Sequence, residues 1–390
     1  MKKLVVVWLI AIGVLTYTGA AYAAEAGGIL EVPDVKIIMD GRITKYNDVP
    51  ISVNQNTLLP LRELFNHLGV QDENILYDDQ KKSVTVTKDQ IKIYMEVGSR
   101  KAFVNDRPVI LNTAPVGYAK NQRIYIPFRF AAEALGKKVV WDGSANAILV
   151  CDASKYENVR QLLEKSDSAM KQISKCKTGI KADGTVKSEQ FNTKLGIVSA
   201  SQIDKMKKTI FSKLAMNIFG IEMASDSYYS DNASYTLNPL SGKWEKAIYT
   251  PADFDKLFVE KGEVSVLDTQ AIEPLCAGLE QVTGSGPEEI LLQGEVYLSS
   301  LLQSLETDEK TGNALTTGKN TTPDTFYMTV SLNSSTFLVN NIVMTVSSEE
   351  VSNKTTIRTD MAISIEYSDY NGDFQVLVPE EVILNAVQRK

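Results

Sequence analysis

Histidine is almost missing from this chain: His67 is the single one in 390 residues. Zinc and copper sites gather several imidazoles or thiolates at one point, so one imidazole excludes a histidine-built metal centre. Cysteine is scarce too. Cys151, Cys176 and Cys276 are three in number, an odd count, and no two stand at CxxC spacing. At most one disulfide forms from them, the spacing does not say which pair, and a small buried apolar side chain is an equal reading of each. HExxH, GxSxG, a P-loop and a GxGxxG followed by an acid are all absent. The paired carboxyls Glu288-Glu289, Glu349-Glu350 and Glu380-Glu381 are sequence neighbours, which point apart and make no glycosidase pair by themselves. The expectation is a protein with no catalytic residue, no cofactor and no metal, and so not an enzyme. Basic charge is short as well, 41 Lys and Arg against 48 Asp and Glu for a net charge of −7, which argues against a nucleic-acid partner.

Long apolar runs are confined to the start. Lys2 and Lys3 precede the run Leu4 to Leu15, and Ala21-Tyr22-Ala23 offers small residues for cleavage. Residues 1–23 read as a signal peptide. Nothing later is long and apolar enough to span a bilayer. The expected product is extracytoplasmic, secreted or associated with the cell envelope, and not an integral membrane protein after cleavage. Apolar residues at 44% and charged residues at 23% describe a globular chain.

What is present is a phrase written twice. TLLPLRELFNHLG runs from Thr57 to Gly69, and RIYIPFRFAAEALG from Arg123 to Gly136. In the first copy Pro60 suits a first helical position. Leu61, Leu64, Phe65 and Leu68 then share a helical face, and Gly69 suits the left-handed stop. Pro127, then Phe128, Ala131, Ala132 and Leu135, then Gly136 repeat each device. After each helix come an aromatic-Asp pair, Tyr77-Asp78 and Trp141-Asp142, a turn and a β-rich run. Each copy therefore reads as strand, short helix, strand, turn, strand. Arg62 and Arg129 hold the same helical position. A shared anion or glycan contact would use them, but Glu133 four residues after Arg129 favours a plain helix-face charge.

On these phrases, with MDGRI (39–43), FVNDRPVIL (103–111) and VVWDGSANAILV (139–150), residues 35–152 resemble the N-terminal domain of copper amine oxidases, a stalk or wall-associated module of secreted bacterial proteins. The resemblance implies a small α+β domain with an internal repeat. It does not bring copper here, since the oxidase chemistry needs three histidine ligands and a modified tyrosine, and His67 stands alone in a helix.

The remainder reads as a helix over 159–173, a hairpin around Ala182-Asp183-Gly184, a hairpin over 235–247, and a helix from Thr250-Pro251. A second helix is expected from Ser285-Gly286-Pro287, carrying Leu298, Leu301, Leu302 and Leu305. Residues 307–324 read as a polar loop. TFYMTVSL (325–332) and TIRTDMAISIEY (356–367) alternate apolar and polar residues, the mark of a sheet with one covered and one wet face. A short helix follows Val378. With LLEKSDSAMKQI (162–173), DSYYSDNASYTLNPLSGKWEKA (226–247) and FQVLVPEEVILNA (374–386), residues 155–390 resemble the LolA- and LppX-like half-barrels. That resemblance implies a curved antiparallel sheet covered by helices, in an α+β chain overall.

Periodicity does not distinguish a packed interior from a lined pocket. Phe254, Phe258, Leu298, Leu302, Phe326 and Met328 are the candidate lining if a pocket exists. Three functions fit these observations. The first is a non-catalytic wall-associated structural or binding module. The second is an extracytoplasmic carrier or sensor of a lipid or other apolar ligand. The third is a secreted glycan-acting enzyme using carboxylates. A cell-wall polymer and an apolar small molecule are the partners these readings imply.

Overall fold

Strand Asn56–Pro60 lies antiparallel to strand Arg123–Pro127, with Leu58 opposite Pro127, Leu59 opposite Ile126 and Pro60 opposite Tyr125. Leu59 and Ile126 are the same position in the two copies, so the copies meet about a local two-fold axis. That is the physical use of the repetition: each copy supplies the sheet partner of the other. The helices that follow, Leu61–His67 and Phe128–Ala134, are each two turns long. Helices so short hold only by packing, and Leu64, Phe65, Phe128, Ala131 and Ala132 are buried to 1% exposure or less. Gly69 and Gly136 take φ of +80° and +76° just past them, as a left-handed helix stop requires. Both prolines stand one position earlier than the sequence suggests. They cap the helices with extended backbone, because the pairing between the copies holds them in the sheet.

The computed structural model describes residues 28–143, 145–218, 220–262, 272–283, 286–297, 325–352 and 355–389. The expected signal peptide, Leu298, Leu302, the rest of the stripe over 298–305 and the polar segment 307–324 lie outside the described residues. The chain divides into two compact units between Glu157 and Asn158. The first contains the sheet just described, a five-stranded meander from Ile75–Asp78 to Arg107–Ile110, and a four-stranded sheet in which Ala147–Asp152 runs parallel to Lys36–Met39.

The second unit is built on one sheet of twelve strands among the described residues. From edge to edge they run Leu279–Val282, Glu289–Tyr297, Thr325–Asn333, Val339–Ser352, Thr355–Ser368, Lys175–Lys187, Asn192–Asp204, Thr209–Ile218, Ile221–Ser230, Ala233–Leu237, Trp244–Ile248 and Val387–Gln388. Neighbours are antiparallel except the last pair. An open twisted sheet of this many strands curls rather than staying flat. The helix Ala153–Lys171 buries Val159, Leu163 and Met170, and Ile173 follows in the connection.

Two expectations fail here, and the balance of the chain shifts toward β. The residues after Ser285-Gly286-Pro287 are strand Glu289–Tyr297 rather than helix. The apolar run Ile290, Leu291, Leu292 fits either period, and pairing on both sides, with Leu279–Val282 and Thr325–Asn333, decides for strand. Ala182-Asp183-Gly184 is not a turn. It passes straight through the thirteen-residue strand Lys175–Lys187. The reversal comes at Ser188 to Phe191, where Ser188 Oγ accepts from the amides of Gln190 and Phe191.

One buried carboxylate helps tie this sheet together. Asp204 is fully buried, accepts from the Lys207 amide at 3.0 Å, and has Lys175 Nζ 3.5 Å from its other oxygen. Removing one partner of such a pair strands the other charge. Lys175→Met is expected to cost about 2 kcal/mol, less than a wholly enclosed pair because the lysine is partly exposed. Urea denaturation checks this, and an unchanged midpoint would contradict it.

Candidate functional site

Sheet register sorts the side chains of the second unit onto two faces. On one face a single row crosses eight strands: Gly294, Met328, Met344, Ile363, Ala182, Ile197, Met216 and Met223. Beside it on the same face run Val346, Met361, Gly184, Leu195 and Ile218. With Val296 and Phe326 paired on the strands beyond Val346, the face is apolar over two adjacent rows. A one-residue slip would turn every one of these side chains to the other face.

Burial along this face is graded. At one end of the strands Cys176, Ile203 and Ile210 are buried to 2% exposure or less. Two helices reach that end. Tyr370 hydroxyl, which donates to the Val339 carbonyl, meets Met170 of helix Ala153–Lys171. Tyr249 pairs its hydroxyl with Ser234 at 3.1 Å and its ring with Phe254 of helix Pro251–Gly262. That helix starts as expected, with Thr250 Oγ1 accepting from the Asp253 amide. Toward the other end, Met216, Met223, Met344, Val346, Leu195 and Ile218 are only half-buried, while Val296, Phe326 and Met361 stay buried. On the opposite face a hollow of ≈ 670 Å³ is lined by the row Thr345, Ala362, Asp183, Gly196 and Asn217 and the row Ser347, Asp360, Thr185 and Lys194. Its volume lies in the range of small-molecule sites.

The described members of the candidate lining fall into two groups. Phe326 and Met328 are buried at 4% and 2% on strand Thr325–Asn333, as parts of the rows above. Phe254 is buried at 2% and Phe258 is half-buried, their rings 6.5 Å apart on helix Pro251–Gly262, which Asp255 ties to Lys208 at 2.6 Å. Sequence reasoning missed Met216, Met223, Met344, Met361, Leu195 and Ile218. Of these, only Met361 falls in a segment whose alternation marked it as one-sided, and only the strand order joins them into a row.

Groups with reactive potential are placed elsewhere. His67 is exposed and meets the Tyr46 ring edge-on at 4.7 Å. Among the described residues no three His, Cys, Asp or Glu side chains are grouped to hold a metal ion. No described helix is long and apolar enough to cross a membrane. DSYYSDN forms a hairpin tip, with Asp231 and Asn232 both at positive φ, the backbone of a tight two-residue turn.

None of the three cysteines is in a disulfide, and all three are buried. Burial pushes the Cys151 thiol up to about 12 and the Cys176 thiol up to about 11, from an ordinary 9.0. Neither is expected to react with a thiol reagent in the native protein at about pH 8, and both are expected to react once unfolded. The stability effect has a definite sign. Below pH 9.0 both states keep the proton. Above it the unfolded chain ionises first, so these thiols lower stability as pH rises toward about 11. Cys176→Ala should flatten that decline, as read by denaturant midpoints across the alkaline range.

Comparison with known proteins agrees with the first resemblance drawn from the sequence. Residues 38–150 match the family model of the copper amine oxidase N-terminal domain, and residues 293–387 match that of a family of unknown function. No curated protein matches the sequence. Among solved structures the chain is similar to lipoprotein LppX of Mycobacterium tuberculosis, at 12% identity over 57% of this chain and 99% of that one, with a TM-score of 0.34. It is also similar to LprF from Mycobacterium bovis, at 8% identity over 57% and 97%, TM-score 0.30. A LolA superfamily protein from Nitrosomonas europaea matches at 9% identity over 57% and 96%, TM-score 0.18.

Proposed function

We propose that the second unit holds a lipid or similar apolar ligand against its sheet, and that the protein is an extracytoplasmic carrier or sensor of that ligand. The observation that carries this reading is the apolar row across eight strands, in which Met344, Met216 and Met223 are only half-buried. A core needs no methionines at its open margin. A face that receives chains of varying shape gains from them, because the unbranched thioether adapts to its neighbour. Each methylene moved from water onto such a face contributes about 0.8 kcal/mol. Roughly sixteen methylenes contribute about 13 kcal/mol, which leaves micromolar binding where immobilising the ligand costs about 4 kcal/mol.

In this reading the curled sheet is a half-barrel whose helices cover one end of its apolar face. Residues 1–23 direct export, and the unit binds without catalysis. The reading is preferred to a purely structural wall module because a module of that kind has no use for a half-open apolar face.

The test uses a fluorescent polyene fatty acid titrated into the purified full-length protein. Saturable binding is expected. Met216→Glu and Met223→Glu, on half-buried positions that tolerate a charge at their rim, should each weaken it about tenfold with circular dichroism unchanged. Absence of binding to the wild type, or unchanged affinity in both variants, would overturn the proposal.

A further inference from the structure

The first unit carries a hollow of its own, and it is unlike the apolar face of the second. It measures ≈ 360 Å³ and is lined by both apolar and polar side chains, among them Trp141, Phe130, Arg129, Glu133, Asn56 and Asn112. Trp141 is 49% exposed, a large indole to leave in water at the wall of a concavity. The ring stands over a glycine turn. A Cβ on Gly143 would lie 3.3 Å from the indole Nε1, so the turn leaves the indole its place. Opposite in character, Arg129 is fixed by two acceptors, the Val139 carbonyl at 2.8 Å and Glu133 Oε1 at 3.3 Å. Asn56 is held likewise, donating to the Asn54 carbonyl at 2.8 Å and Thr113 Oγ1 at 3.0 Å.

We propose that this hollow is a binding site for a neutral saccharide, with one sugar ring seated on Trp141 and its hydroxyls on the Arg129–Glu133 pair and the two asparagines. Three properties of the site select that chemistry. A flat exposed aromatic face accepts a flat apolar surface, and the C–H face of a pyranose ring provides one. A guanidinium and a carboxylate side by side supply donors and acceptors at zero net charge. Anions gain nothing there, since Glu133 already neutralises Arg129, and a wholly apolar ligand would strip water from both charges without replacing it. Groups already oriented by their own hydrogen bonds lose little freedom on binding. The site lies within residues 55–148 and is independent of the ligand proposed for the sheet of the second unit.

The experiment is isothermal titration of the full chain with two neutral probes, cellotetraose and tetra-N-acetylchitotetraose, and one anionic probe, tetragalacturonate. At least one neutral probe is expected to bind with a Kd of about 1 mM or tighter, with little dependence on salt. Trp141→Ala and Glu133→Gln should each weaken it about tenfold, while Trp141→Phe retains most of the affinity. Thermal melting of the variants should match the wild type, because both positions are exposed. The proposal is overturned if neither neutral probe binds at several millimolar, if Trp141→Ala leaves the affinity unchanged, or if tetragalacturonate is the tighter ligand.

Discussion

Leu64→Asp is expected to unfold the unit of residues 28–157 near room temperature. Leu64 is fully buried in a cluster with Phe65, Leu59, Ile126, Phe128 and Ala132. These come from both copies of the repeat, so a charge at this point strikes the junction between them rather than one helix. The substitution removes the contacts of a buried leucine, worth about 2–5 kcal/mol. It also leaves a carboxylate with no partner, which costs several kcal/mol more or forces it to take up a proton. Whole domains hold only about 5–15 kcal/mol of stability. Leu135→Asp should be milder, since Leu135 retains 9% exposure at the end of its helix. Pro60→Ala and Pro127→Ala should be milder again, because each proline caps a helix whose hydrogen bonds do not depend on the ring. Calorimetry resolves these outcomes: Leu64→Asp loses a transition, and the proline variants shift it by a few degrees. A Leu64→Asp melt equal to wild type would contradict the packing of the repeat.

Gly278→Ala is the second large effect expected. Helix Ile272–Gly278 runs directly into strand Leu279–Val282, and its last residue lies against the neighbouring strand Glu289–Tyr297. A Cβ on Gly278 would sit 2.1 Å from the Glu295 carbonyl oxygen, and one on Gly294 would sit 2.0 Å from the Gly278 carbonyl oxygen. Both obstacles are backbone, so no rotamer relieves them and the strands must separate. Overpacking of this kind costs about 1–3 kcal/mol where side chains can yield, and about 3 kcal/mol or more is expected where they cannot. Gly278→Ala and Gly294→Ala should therefore each lower the denaturant midpoint strongly. By contrast Gly179→Ala, with nothing within 4 Å of its Cβ, should change it little. Equal midpoints for all three would contradict the close approach.

The first unit was legible in the sequence because its information is local. A proline, a four-residue stripe and a glycine fix each short helix, and the phrase repeats with the same spacing. What the sequence did not show is that Leu59 lies opposite Ile126, since pairing between distant strands leaves no local mark. The second unit was half legible for the same reason. Alternation in 325–332 and 356–367 named the strands and their apolar faces. The segment 289–297 was misread because Ile290, Leu291 and Leu292 are apolar in succession, a pattern that strand and helix share. Gly184 was misread as a turn because glycine usually marks one, although here it lies within a strand. The row from Met328 to Met223 was beyond reach altogether, because it is assembled from strands up to 181 residues apart, Ile363 against Ala182, whose order only the fold supplies.

Native mass spectrometry of the full-length protein, purified without detergent from a host that exports it, tests the central claim most directly. The account predicts a population heavier than the bare chain by the mass of a lipid, released on collisional activation and identified by organic extraction, and depleted in Met216→Glu. A single bare mass in the wild type, unchanged after incubation with lipid vesicles, would contradict it.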